Sequence, residues 1–291
     1  MRTLGLRLAG IIVALACAVA LAGCSAVKLG YGNGVNLAYW WLNGYLDFSD
    51  AQGAQARGEL ERLHAWHRQQ ELPRVIELLA RAEQLAPGAV SPEQACAIVA
   101  EGRARLEAVA ERADPAVVAI AMTLTPAQLR HLERKQRKNI DKFRRDWIDA
   151  TPAEQKERRV DFLQERFEMI YGRLEAPQRA VLRRGVEQSI FEPQRMLDDR
   201  QRRQQDLLQT LRQVIAPGQP VAEARTLLRG YLDRMQRPPD AAHRTWQNAL
   251  LQENCRLFAA LHESTTPQQR EQAVRRLRGY QRDVRELAGS L

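Results

Sequence analysis

The chain has 291 residues, 44 Lys and Arg against 35 Asp and Glu, a net charge of +9, and 45% hydrophobic with 27% charged residues. That balance supports a substantial core and excludes a disordered chain, while the length allows one large or two ordinary domains. With 6% aromatic residues and 17 glycines, strand formers and turn chemistry are too sparse for a large sheet protein, so an all-α fold is expected.

Residues 1–23 have the layout of a secretory signal. Arg2 and Arg7 precede an apolar stretch from Leu8 to Ala22, and Leu21-Ala22-Gly23-Cys24 forms a lipobox. The apolar run is too short and too rich in small residues for a membrane span. Cleavage before Cys24 leaves a thiol to carry diacylglycerol and an amine to take a third acyl chain, and two or more chains anchor a protein stably. Ser25 follows where an aspartate would be retained at the inner membrane, which resembles the enterobacterial sorting rule for the outer membrane. The expected location is the periplasmic face of the outer membrane, with covalent lipid on Cys24 and no other cofactor.

Residues 24–48 form an aromatic segment with Tyr31, Tyr39, Trp40, Trp41, Tyr45 and Phe48. Two readings fit it. Trp and Tyr rings favour a membrane interface, and this cluster begins seven residues after the lipidated cysteine. Alternatively, Leu37, Trp40, Trp41 and Tyr45 make the buried stripe of a first helix. The second reading is preferred, because the pattern runs directly into a helix start at Ser49.

From residue 49 to 291 the chain reads as one helical domain with a weak joint near 215–220. Helix starts recur at Ser49-Asp50-Ala51-Gln52, Ser91-Pro92-Glu93-Gln94, Thr125-Pro126-Ala127-Gln128, Thr151-Pro152-Ala153-Glu154 and Thr266-Pro267-Gln268-Gln269. In each, a hydroxyl caps the N3 amide and the N3 Gln or Glu can bond back to the cap; in four, Pro occupies N1. Their uneven spacing excludes a solenoid of fixed period. Further breaks are expected at Ala86-Pro87-Gly88, Asp114-Pro115, Ala176-Pro177, Glu192-Pro193, Ala216-Pro217-Gly218-Gln219-Pro220 and Arg237-Pro238-Pro239-Asp240. Between them apolar residues repeat at three and four, as in Val160, Leu163, Phe167, Ile170 and Leu174, which is the period of a helix with one buried stripe. The expected architecture is an elongated multi-helix bundle of antiparallel hairpins.

Few constellations carry chemistry. His64 and His67 lie one helical turn apart with Glu61 and Glu71 nearby, a weak candidate for a metal site; a polar or capping role is the commoner use of such a pair, and no metal is expected. There is no phosphate loop, nucleophile elbow or His-Glu-x-x-His. Cys96 and Cys255 remain once Cys17 leaves with the signal and Cys24 takes lipid. They either pair across a loop of about 160 residues in an oxidising compartment or stay as two buried thiols. The densest basic run lies between Arg130 and Arg145, where Arg130, Arg134, Lys138 and Lys142 fall four apart along one helical ridge and concentrate positive field. No nucleic-acid motif accompanies it, and an exported protein does not meet nucleic acid. The partners considered are polypeptide clients and anionic envelope lipids, beside the membrane itself through the anchor.

Taken with the lipobox, Tyr31-Gly32-Asn33, Trp40-Trp41-Leu42, Tyr45-Leu46-Asp47, Trp66-His67-Arg68 and Glu71-Leu72-Pro73 resemble an uncharacterised lipoprotein family, domain of unknown function 6279, as does the tail from Thr266 to Tyr280. Leu124-Thr125-Pro126-Ala127-Gln128 is similar to the helix starts of Spy-like periplasmic chaperones, which are basic, all-helical and cradle-shaped. That second resemblance implies loose binding of acidic, partly unfolded clients. The expected function is non-enzymatic binding of polypeptide clients or envelope components through basic helices. The alternatives are an accessory that docks one dedicated envelope partner and, more distantly, a metal-dependent hydrolase using His64 and His67.

Overall fold

The computed structural model describes residues 27–289, in which eleven helices and no strand pack into a multi-helix bundle. The signal segment 1–23 and Cys24 lie outside the described residues. Residues 27–32 form a helical turn leading into α1 (Gly34–Leu46), followed by α2 (Asp50–Trp66), a π-helical turn (His67–Glu71) and α3 (Leu72–Leu85). Next come the 30-residue α4 (Pro92–Ala121), α5 (Pro126–Phe143), a second π-helical turn (Arg144–Ile148), α6 (Pro152–Tyr171) and α7 (Ala176–Glu187). The chain ends with α8 (Pro193–Val214), α9 (Val221–Gln236), α10 (Ala241–Glu263) and α11 (Pro267–Gly289).

One expected break is absent. α4 runs through Asp114-Pro115 without stopping. A proline in a helix interior removes one backbone donor and normally interrupts the helix, but here tertiary contacts hold the turn. Asp114 is buried and accepts from Arg225 at 2.5 Å and Arg229 at 3.1 Å on α9, while Val118 and Ala121 beyond the proline are buried in a core. The 215–220 segment is the turn that brings α9 back along α8.

At about 45 Å, α4 spans two apolar cores. Its C-terminal half joins α5, α8 and α9 around Val118, Leu129, Leu132, Leu211, Val214 and Leu228, with Tyr45, Leu46 and Phe48 packed against them. The second core gathers Tyr171, Leu174, Leu182, Leu257, Leu261 and Leu277 from α6, α7, α10 and α11. The N-terminal half of α4 reaches it through α10, where Cys96 and Cys255 form a disulfide of 2.05 Å with Cα atoms 5.5 Å apart.

The capping residues also join the helices in pairs. At α2 and α5, Gln52 and Gln128 each accept from their own cap amide, at 3.0 and 2.9 Å. Their side-chain amides then cross over: Gln52 Nε2 donates to the Thr123 carbonyl at 2.8 Å, and Gln128 Nε2 donates to the Asp47 carbonyl at 2.9 Å. At α7 and α11 the arrangement repeats. Gln178 Nε2 donates to the Ser264 carbonyl at 2.6 Å and Gln269 Nε2 to the Arg173 carbonyl at 3.0 Å. In all four, the carbonyl reached lies two residues before the partner's cap, so two helix starts are locked to each other by backbone groups that would otherwise be orphaned. Glutamine is needed because one end must accept while the other donates. The starts at Ser91 and Thr151 carry exposed Gln94 and Glu154 and bond only to themselves.

His262 is buried beside this joint. Its Nε2 lies 2.7 Å from the Gly88 carbonyl, which only an N–H can satisfy, so Nδ1 accepts from the Tyr171 hydroxyl at 2.7 Å. This is the neutral imidazole. Burial, with a smaller contribution from Arg270, pushes its pKa below the usual value, while the Gly88 carbonyl and Glu263 oppose. Burial lowers His67 in the same way. The unfolded chain takes up protons near pH 6.5 where the folded chain resists them, so this contribution is complete above that pH and is lost as pH falls below it. The denaturant midpoint should therefore drop between pH 7 and pH 5, with a slope of at most about 1.4 kcal/mol per pH unit per histidine. His262→Gln should flatten part of that slope; a midpoint independent of pH would contradict the assignment.

Candidate functional site

The four ridge residues lie on α5. Its buried side carries Leu129, Leu132, Gln136 and Ile140, which leaves Arg130, Arg134, Lys138 and Lys142 exposed on the other side. Among the described residues, Arg130, Arg134 and Lys138 meet no carboxylate. Lys142 donates to Asp146 at 2.6 Å, which holds that carboxyl below the usual range. The ridge is therefore largely uncompensated positive charge and not a lattice of ion pairs.

The aromatic segment departs from the core reading. Trp40 is 75% exposed, Trp41 56% and Leu37 55%, and Leu29 on the preceding turn is also exposed. The physical reason is crowding around one short helix: residues 37, 40, 41 and 44 share one face, and the opposite side is already taken. Tyr39 points inward, where Arg57 stacks 3.5 Å above its ring and Gly53 makes room for its hydroxyl; a Cβ at Gly53 would lie 2.7 Å from that oxygen. Tyr45, Leu46 and Phe48 pack on the first core. The bundle has no room for two adjacent tryptophans on the remaining arc.

His64 and His67 converge on a tyrosine. The Tyr31 hydroxyl lies 2.9 Å from His67 Nδ1, and His64 Nε2 lies 3.1 Å from the Tyr31 carbonyl, with the Tyr31 and His64 rings 4.5 Å apart. Both imidazoles thus fasten the incoming chain to α2 and the π-helical turn after it. Among the described residues no group of three His, Cys, Asp or Glu is arranged to hold a metal ion.

The ridge and the aromatic face adjoin. Asn139 Nδ2 donates to the Tyr45 hydroxyl at 2.7 Å, and His131 Nε2 lies 3.1 Å from the Gly44 carbonyl, so the C-terminal end of α1 packs on α5. The Trp41 ring sits 4.9 Å from Tyr45. Lys138 immediately precedes Asn139, so the C-terminal half of α5 and the C-terminal end of α1 are neighbours. No helix among the described residues is long and apolar enough to cross a membrane, but this surface has the composition that favours its interface: aromatic rings next to unpaired cations. The ridge was visible in the sequence. The exposure of Trp40 and Trp41 was not, because a period of three and four marks an apolar face without showing what covers it.

A family model described as "Family of unknown function (DUF6279)" matches residues 44–230. No curated protein and no solved structure matches the chain. The matched segment covers more than half of the sequence and includes α5 with its ridge; the chain belongs to this family.

Proposed function

We propose that the chain is a non-enzymatic, lipid-anchored envelope protein that lies against an anionic membrane surface through α1 and α5. The observation that carries this reading is the exposed Leu37, Trp40 and Trp41 face beside the unpaired ridge of Arg130, Arg134 and Lys138. The lipobox ending at Cys24 supports it, because acyl chains attached there would enter the bilayer a few residues before α1. On this reading the anchor, the aromatic face and the cations all meet the same membrane. The lipid holds the chain at the membrane while the surface sets its orientation.

The test uses residues 25–291, which contain every helix described, with vesicles of phosphatidylglycerol in phosphatidylethanolamine. At about 1 kcal/mol per basic residue near such a surface, replacing Arg130, Arg134, Lys138 and Lys142 by Gln should weaken low-salt binding by roughly two to three orders of magnitude. Most of the salt dependence should go with it. Trp40→Ala with Trp41→Ala should weaken binding at every salt concentration, since burial of rings is not screened. If the Gln variant binds vesicles like the parent and instead fails to suppress aggregation of an acidic unfolded client, the ridge serves polypeptides and the membrane reading is wrong. In cells, Cys24→Ser should leave the outer-membrane fraction; its normal fractionation would remove the anchor from the argument.

A further inference from the structure

α6 stands off from part of the bundle. Its main contacts are with α7 and α11, and a groove opens between it and α4, α10, the start of α8 and the second π-helical turn. The cavity is about 710 Å³, within the range of small-molecule sites. Its wall is built from side chains left half-buried by the second core, among them Ile98, Leu163, Phe167, Ile170 and Phe258. From Arg159 to Tyr171 the α6 wall runs about 18 Å at the helical rise. Such a trough is long enough for an extended acyl chain.

The charged residues on its lining are all of one sign. Arg159, Arg166 and Arg200 contribute, and no Asp or Glu does. Each guanidinium lies over an aromatic ring of the wall or rim: Arg159 over Phe191 at 4.6 Å, Arg200 over Phe143 at 4.6 Å and Arg166 over Phe162 at 5.0 Å. Phe143, Trp147 and Phe191 form a continuous aromatic run, with centroids 6.3 and 5.6 Å apart, so Arg159 and Arg200 flank the same end of the groove. Arg159 is already held by Glu253 and Ser189. Arg166 and Arg200 meet no carboxylate among the described residues, and their donors are available. Phe162, 52% exposed, lines the opening.

We infer that this groove binds a single-chain anionic amphiphile, with its acyl chain along α6 and its carboxylate or phosphate headgroup on Arg200 and Arg159, while Arg166, two turns further along α6, adds positive charge to the rim. The long apolar wall selects the chain. The all-positive rim selects the charge, and stacking on the rings holds the planar guanidiniums ready for a headgroup. The groove meets α5 only at Phe143, and its arginines lie on α6 and α8, so the site stands whether or not the membrane reading does.

Residues 25–291 should bind dansyl-undecanoate saturably at one per chain, and palmitate and lysophosphatidylglycerol should displace it. Their relative strength tells whether a carboxylate or a phosphate ester is preferred. Dodecyltrimethylammonium, with a like chain and the opposite charge, should displace at least tenfold less well. Arg166→Gln with Arg200→Gln should weaken the probe by about tenfold or more. Val99→Trp, which enlarges an exposed lining residue without touching the core, should block it, and both variants should keep the parent's helical signal and vesicle binding. The proposal is overturned if the probe does not saturate, if the cationic amphiphile competes equally, if the arginine variant binds unchanged, or if an apolar peptide displaces the probe where palmitate does not.

Discussion

Breaking the bond between Cys96 and Cys255 is expected to cost about 3–5 kcal/mol of stability. The two residues are 159 apart in sequence, so the cross-link removes a large amount of loop-closure freedom from the unfolded chain; the loop-entropy relation gives about 5 kcal/mol at this length, and native disulfides commonly deliver somewhat less. The bond also ties together two helices that pack along each other. It joins the first turns of α4 to the middle of α10, and Ala95 and Asn254, next to the two cysteines, line the groove whose other wall stands away. Guanidinium unfolding with and without reductant measures the effect, and Cys96→Ser with Cys255→Ser should show the same deficit while becoming insensitive to reductant. Equal midpoints for the oxidised and reduced protein would mean that the helices hold this junction without the bond.

How far the sequence discloses such features depends on whether their cause is local. Ser49, Ser91, Thr125, Thr151 and Thr266 all start helices with reciprocal cap bonds, because a capping box involves four consecutive residues. The ridge from Arg130 to Lys142 is legible for the same reason. Pro115 misleads because its local effect is outweighed by Asp114 and two arginines more than a hundred residues away. Trp40 and Trp41 mislead because burial is set by what the bundle has room for, and Tyr39, Tyr45 and Phe48 fill that room first. The stripe on α6 is read correctly as a stripe, yet of its residues only Val160 is fully buried; Leu163, Phe167 and Ile170 face the groove, and Leu174, the last of the series, is buried in the turn beyond the helix. Periodicity identifies the apolar side of a helix and not whether another helix closes over it. The groove itself brings together Phe143, Phe162, Phe191 and Phe258 from separate helices and a loop, and no spacing in the sequence announces it.

Gln178→Glu should destabilise the protein by about 3–5 kcal/mol at pH 7, although it changes one atom type and leaves a residue that capping rules accept at N3. At an exposed helix start the exchange is harmless: Gln94→Glu should lie within about 0.5 kcal/mol of the parent, since a carboxylate at the first turn is favoured by the helix dipole. Gln178 is 1% exposed. Its Oε1 accepts from the Glu175 amide at 2.7 Å while its Nε2 satisfies the Ser264 carbonyl at 2.6 Å. A carboxylate keeps the first bond and turns the second into two oxygens facing each other. That leaves a buried carbonyl without its donor and takes a charge out of water. Protonation restores a donor, so the folded-state pKa of the new carboxyl must lie above its unfolded value near 4.3. The sign follows: the folded variant binds the extra proton, its deficit grows as pH rises through the folded pKa, and it shrinks as pH falls toward 4. This is opposite to the slope that the buried histidines impose on the parent, so the difference between the two proteins isolates it. Unfolding midpoints of parent, Gln94→Glu and Gln178→Glu between pH 4 and 8 provide the measurement. A Gln178→Glu deficit that stays constant with pH would place its cause in packing, and one as small as that of Gln94→Glu would mean that the crossed amide bonds do not join α7 to α11.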